Sequence, residues 1–111
     1  MIPAVLVLAS NGIQVSVDTS LIFDTVLTAS GTTSDSATVS AVGGSGSYTY
    51  TWSRVSGSAY ISPTNTSAAT TTFTWSFPFD GFFSTVFKCV VDDGSTTQSV
   101  FVTVSITYAG S

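Results

Sequence analysis

The stretch that decides the fold is Tyr48-Thr49-Tyr50-Thr51-Trp52-Ser53, in which aromatic and hydroxyl side chains alternate. A period of two puts the aromatic rings on one face of an extended strand and the hydroxyls on the other. The same alternation recurs four more times, in Ala37/Val39/Ala41, Phe73/Trp75/Phe77, Phe87/Cys89/Val91 and Val100/Val102/Val104/Ile106. Strand patterns at this density predict an all-β sandwich or barrel.

Turn signals and composition support the same fold class. Gly43-Gly44-Ser45-Gly46 and Asp92-Asp93-Gly94 interrupt the alternating runs where chain reversals are needed. Only 7% of the residues are charged, against roughly 25% in ordinary soluble domains. Their place is taken by 20 Ser and 19 Thr, and the branched Cβ of Thr favours strands. A chain of 111 residues is the size of one domain.

The N-terminal residues form a separate segment in this interpretation. An apolar run, Ala4–Ala9, is followed by Ser10-Asn11-Gly12 and by a second alternating run from Ile13 to Val17. Asn-Gly between two such runs predicts a β-hairpin. The apolar run lacks a preceding basic residue and is too short for a secretion signal or a membrane helix. We therefore divide the chain into N-terminal strands or an arm, 1–30, and a sandwich domain, 31–111.

The charge of the chain excludes two classes of partner. Six Asp stand against Arg54 and Lys88, which gives a net charge of −4. Nucleic-acid binding needs several cationic contacts to phosphate, and docking on anionic membranes needs a basic cluster. Neither is expected.

Catalysis is not expected either, because the chain has no His and a Ser or Thr nucleophile needs a base. Asp92 and Asp93 are neighbours whose side chains diverge, so they do not form a glycosidase pair. No cofactor is expected. Asp80, Asp92 and Asp93 could hold Ca²⁺ if their loops converged, although the oxygens are few. The favoured interpretation is that they are solvated turn residues.

The spacing of Val39, Trp52 and Cys89 resembles that of immunoglobulin domains, in which two cysteines and a tryptophan meet in the core. The resemblance implies a strand-C role for Trp52 and a strand-F role for Cys89. Strand B offers Ala37, Val39 or Ala41 where the first cysteine would be, so no bridge forms, and Phe87 replaces the corner tyrosine. Alternation places Cys89 inside as a small hydrophobe. The expected core is therefore Val39, Trp52, Phe87 and Cys89.

The segment Gly43-Gly-Ser-Gly-Ser-Tyr-Thr-Tyr-Thr-Trp52 is similar to Ig-like and PKD-like repeats in tail, tip and capsid proteins of tailed bacteriophages. The likeness covers about residues 33–108. It implies an immunoglobulin-like β-sandwich of about seven to nine antiparallel strands. It also implies a virion structural role, in decoration or in a tail, rather than an enzymatic one.

Two apolar segments are candidates for a partner contact. Phe77-Pro-Phe-Asp-Gly-Phe-Phe83 places four Phe in seven residues of an expected loop. Either the loop caps the core or Phe79, Phe82 and Phe83 form an exposed contact patch. The N-terminal run offers Val5, Leu6, Val7 and Leu8 for addition to a neighbouring sheet edge.

The expected function is that of a phage virion protein made in the host cytoplasm and bound to an assembled capsid or tail surface. Other virion proteins and further copies of the chain are the expected partners, since a weak contact repeated on a lattice gains avidity. The alternative is a carbohydrate-binding or adhesive module, extracellular or on a cell surface. In that case Tyr48, Tyr50 or Trp75 would stack on sugars of a host-surface glycan.

Overall fold

A computed structural model describes residues 12–110 as an all-β protein in which no α-helix occurs. The strands are β1 (Ile13–Val17), β2 (Leu21–Val26), β3 (Ser30–Thr32), β4 (Ala37–Gly43), β5 (Thr49–Gly57), β6 (Ile61–Pro63), β7 (Thr70–Thr71), β8 (Phe73–Ser76), β9 (Gly81–Asp92) and β10 (Thr97–Tyr108). The predicted all-β class is confirmed. The hairpin through Asn11-Gly12 and the candidate contact residues Val5, Leu6, Val7 and Leu8 lie outside the described residues.

The strands form two layers. One layer is a four-stranded sheet in the order β2-β10-β9-β5. The other consists of two three-stranded sheets, β1-β4-β7 and β3-β8-β6, whose strands alternate along the chain. Both layers contribute inward-facing side chains to one apolar core, so the architecture is sandwich-like.

The predicted count of seven to nine strands is wrong within residues 12–110, where there are ten. Thr33 explains one of the breaks, because this side chain turns inward between β3 and β4 and is only 3% exposed. Its hydroxyl donates to the Asp35 carbonyl and accepts from the Phe73 amide. A side chain thus replaces part of the backbone ladder, and β3 and β4 are separate strands.

The prediction of antiparallel strands throughout is also wrong at one pair. β2 lies parallel to β10, from Leu21 opposite Thr103 to Val26 opposite Tyr108. The chain leaves β1 and crosses to the other layer through residues 18–20 before it begins β2. The crossover preserves the direction of the chain, so β2 runs in the same direction as β1. Since β1 is antiparallel to its neighbour β4, β2 also runs opposite to β4.

The Phe-rich segment is shorter as a loop than expected. Phe82 and Phe83 belong to β9, which begins at Gly81 and pairs with β10 along twelve residues. Strand alternation therefore turns the Phe82 ring outward, where it is 61% exposed, and the Phe83 ring inward, where it is 8% exposed. The connecting loop is reduced to residues 77–80.

Candidate docking site

One end of the sandwich is built from aromatic rings, and we call it the aromatic end. The Phe77 ring is its centre and is stacked on Phe83 with the ring centroids 4.1 Å apart. Trp75 and Tyr108 lie on either side, at 6.5 and 6.0 Å from Phe77. Tyr60 meets Phe83 edge-on at 5.7 Å. Such stacked and edge-on pairs stabilise a rigid packing beyond the area that they bury.

A close backbone approach makes this packing possible. A Cβ atom on Gly31 would lie 2.7 Å from Cζ2 of Trp75, so only glycine lets β3 pass the indole. The indole Nε1 then donates to the Thr28 carbonyl at 3.1 Å. Both the rings and the polar atom of Trp75 are therefore satisfied inside the molecule.

Apolar side chains remain exposed on top of this rigid base. Phe79 is 60% exposed and touches the buried ring of Phe83, with the centroids 5.7 Å apart. Leu27, which follows β2 at the same end, is 74% exposed. The structure thus separates the four Phe of the segment into a buried pair, Phe77 and Phe83, and an exposed pair, Phe79 and Phe82. Only the exposed pair is accessible to a partner.

The four expected core residues lie in the middle of the sandwich. Val39 and Trp52 are 2% and 3% exposed, and Phe87 and Cys89 are fully buried. The indole of Trp52 donates to the Ala68 carbonyl at 2.8 Å and meets Phe73 edge-on. Burial raises the pKa of the Cys89 thiol to about 11, because desolvation outweighs a hydrogen bond to the Thr51 backbone. The thiol is therefore inert in the native state.

Asp93 organises the opposite end, which we call the turn end. One carboxylate oxygen accepts from the Ser95 and Thr96 amides, and the other accepts from the Ser45 amide at 2.9 Å. These backbone donors hold the pKa of Asp93 below its usual value. Gly44 (φ 61°) lies against this carboxylate, where a Cβ atom would collide with it. The carboxylate ties two turns together.

The three aspartates considered for calcium do not converge. Asp80 precedes β9, and Asp92 and Asp93 come at its other end. Twelve residues of strand place the two groups on the order of 35 Å apart. No group of three or more potential metal ligands occurs in residues 12–110.

The aromatic residues considered for sugar stacking are poorly placed for it. Trp75 is 7% exposed and covered by the Phe77 ring and the Gly31 backbone. Tyr48 is half-buried and its hydroxyl donates to the Gly43 carbonyl at 2.6 Å. Tyr50 is half-buried too. The ring that is open to solvent beside a hydroxyl-lined cleft is Tyr60, which is 45% exposed.

Sequence patterns missed several exposed apolar residues. Leu21, Phe23 and Leu27 are all more than half exposed, and so is Phe101 on β10. The signal that could have found them is parity, because Phe23 and Phe101 alternate with buried neighbours and must face outward if Ile22 and Val102 face inward. Composition alone does not distinguish these exposed apolar residues from the buried residues of the core.

No family model matches the chain, and no curated protein matches it either. No helix that could span a membrane occurs in residues 12–110.

Proposed function

We propose that this chain is a non-enzymatic immunoglobulin-like structural protein of a tailed-phage virion, either a decoration protein or a tail-associated protein. It docks on an assembled capsid or tail surface through its aromatic end. The observation that carries the proposal is the exposure of Phe79 on a base of stacked rings, with Leu27 exposed at the same end. Apolar side chains that protrude from a rigid base are typical of interface anchors. Because such side chains are already held in place, little conformational entropy is lost on binding, and the affinity is reduced little by it.

The strand order supports the immunoglobulin-like assignment. β1, β4, β7/β8 and β6 follow one another in one layer, and β10, β9 and β5 do so in the other. This order corresponds to strands A, B, E and D opposite G, F and C of an immunoglobulin domain. Trp52 on β5 and Cys89 on β9 are directly opposite each other in register, as the resemblance implies for strands C and F.

The chemistry of the surface supports a binding role. The exposed side chains are largely Ser and Thr with few charges. A structural protein on a symmetric lattice needs stability and one complementary patch, and repeated weak contacts then add up through avidity. Synthesis in the host cytoplasm without disulfides fits a fold whose one cysteine, Cys89, is buried in the core.

Co-sedimentation with heads and tails from the phage that encodes the chain tests this proposal. Phe79→Ser combined with Leu27→Ser should weaken binding at least tenfold, because two anchors of about 1.5 kcal/mol or more are removed. Val42→Ser is the matched control, since Val42 is 63% exposed on the other layer. Absence of parent protein from both head and tail pellets would contradict the proposal. Equal binding by all variants would contradict the aromatic end as its site.

The carbohydrate-binding alternative is favoured by one observation. A cleft of about 430 Å³ runs beside Tyr60, and Ser62, Thr74 and Ser76 are among the residues that line it. An exposed ring next to hydroxyls is the arrangement that stacks and hydrogen-bonds a sugar. Glycan-array binding that disappears in Tyr60→Ala, with virion binding unchanged, would favour this function.

A further inference from the structure

The outward face of the four-stranded sheet has an unusual distribution of side-chain sizes. Strand register places Phe23, Ser105 and Ser84 in one row across β2, β10 and β9, and Leu21, Thr103 and Val86 in the next. Phe101 and Phe82 lie in the rows beyond, at either end. We call the region enclosed by these rows the outer face. Large apolar side chains form its rim, and Ser and Thr form its centre.

The centre of the outer face is recessed. Ser105 points outward, yet it is only 7% exposed, because larger neighbours stand above it. Its hydroxyl lies 2.9 Å from that of Ser84, so one of the two donates a hydrogen bond to the other. The rim residues Phe23 and Phe101 are 65% and 51% exposed. A shallow depression is thus surrounded by protruding rings.

The sheet edges beside this face are protected against strand addition. At β2, the Asp24 side chain accepts from the Thr25 amide. At β5, a bulge interrupts the register between Arg54 and Ser56, and the Trp52 amide donates to the Thr66 carbonyl. Charged side chains and bulges at edges discourage pairing with another sheet. Association through this layer must therefore use its face.

We propose that the outer face binds the outer face of a second copy of this chain, forming a symmetric dimer. A two-fold interface requires a patch that complements itself, and a protruding rim beside a recessed centre does so, since the rings of one copy fill the depression of the other. Lys88 is the only charged residue that faces outward between Phe82 and Val90, consistent with the depletion of charge in interface cores.

The size of the face suits a dimer. Four rows of two residues, each crossed by three or four strands, cover about 27 Å by 14–19 Å, or roughly 400–500 Å², when strand rise and spacing are used. Each partner in a stable interface contributes roughly 800 Å² of accessible surface. The four large rim side chains, each more than half exposed, add accessible area to that footprint, so the face matches an interface at the small end of the range. The aromatic end and Phe79 stay free in such a dimer, so it is compatible with docking on a virion.

Sedimentation equilibrium of the full chain, from low to high micromolar concentration, tests the proposal. The parent should show the mass of a dimer. Phe23→Ser combined with Phe101→Ser should raise the dissociation constant at least a hundredfold. Val42→Ser and Phe79→Ser, equally exposed elsewhere, should leave it unchanged. A monomeric parent would overturn the dimer, including the case in which residues 1–11 of the same chain cover the face.

A second variant distinguishes a fitted interface, in which the two surfaces are complementary in shape, from non-specific hydrophobic association. Ser84→Phe fills the centre of the outer face while adding apolar surface. Loss of the dimer with a native circular dichroism spectrum is expected, since the rings of the second copy no longer enter. Stronger association would overturn the fitted interface. Virion co-sedimentation of the same variants distinguishes the proposals, because a monomer that still binds virions contradicts only the dimer.

Discussion

The aromatic end and the turn end of this sandwich are stabilised by different forces. At the aromatic end, Phe77 and Phe83 bury their rings against each other. At the turn end, Asp93 gathers backbone amides from two turns while remaining in water. Packing stabilises in proportion to the apolar area that it buries, whereas an exposed hydrogen-bonded loop gains little because water competes.

The difference also bears on function. An end built by packing can hold apolar side chains such as Phe79 rigidly at the surface, where a partner can remove them from water. An end built by backbone hydrogen bonds has satisfied its polar groups internally and offers mainly a solvated, acidic surface. For this reason the docking proposal concerns the aromatic end.

The largest expected effect comes from removing the central ring of the aromatic end. Phe77→Ala should lower the free energy of unfolding by about 3–5 kcal/mol, the usual range for deleting a buried aromatic ring. Phe79→Ala, which removes an exposed ring of the same loop, should cost less than about 1 kcal/mol. Urea denaturation followed by tryptophan fluorescence measures both. Equal losses would show that the buried and exposed pairs are not distinct.

Alternation in the sequence was sufficient for the fold class and for the facing of the long strands. Phe73, Trp75 and Phe77 do face inward together, and so do Val102 and Val104. Each of these runs alternates with a period of two, which only a β-strand satisfies. Because one face of the sheet is buried, the apolar residues of each run must lie on that face.

The parts that sequence could not supply depend on partners distant in the chain. Nothing local in Leu21–Val26 distinguishes pairing parallel to β10 from pairing antiparallel to another strand. The loop at Phe77–Phe83 was misplaced because Gly81 begins a strand whose register is set by β10. The role of Asp93 depends on Ser45, 48 residues away, so its neighbours in sequence do not reveal it.

A further prediction concerns the burial of Cys89 in the core between the two ends. In the native state at pH 8 to 9 the thiol should react slowly with a thiol reagent and rapidly in denaturant. Burial raises the pKa of Cys89 from 9.0 to about 11. Between these two pH values the thiol is therefore protonated in the folded chain and deprotonated in the unfolded chain. The stability from this group is complete below pH 9.0 and declines as pH rises toward 11. Cys89→Ala should remove that dependence and cost about 1 kcal/mol through a small cavity. Fast native labelling would contradict the buried assignment.

The smallest expected effect concerns Asp93 and is local to the turn end. Backbone donors lower the pKa of this carboxyl in the folded state, so its contribution to stability is present above the unfolded value of 3.8 and is lost as pH falls through the folded pKa. In an amide-resolved NMR titration, the Ser45 amide should shift with a midpoint below pH 3.8. Asp93→Asn should abolish that transition, because the carboxamide group does not titrate in this pH range.

Asp92→Asn is the matched control for that titration. Asp92 accepts from the Gly94 amide but makes no contact of this kind with Ser45, so the control should leave the Ser45 transition in place. In both variants Phe83 and Tyr108 resonances at the aromatic end should be unchanged, because their packing shares no hydrogen bond with the turns. A Ser45 midpoint at or above pH 3.8 would show that the two turns are not joined by the Asp93 carboxylate. A response of Phe83 to Asp93→Asn would show that the two ends are coupled through β9.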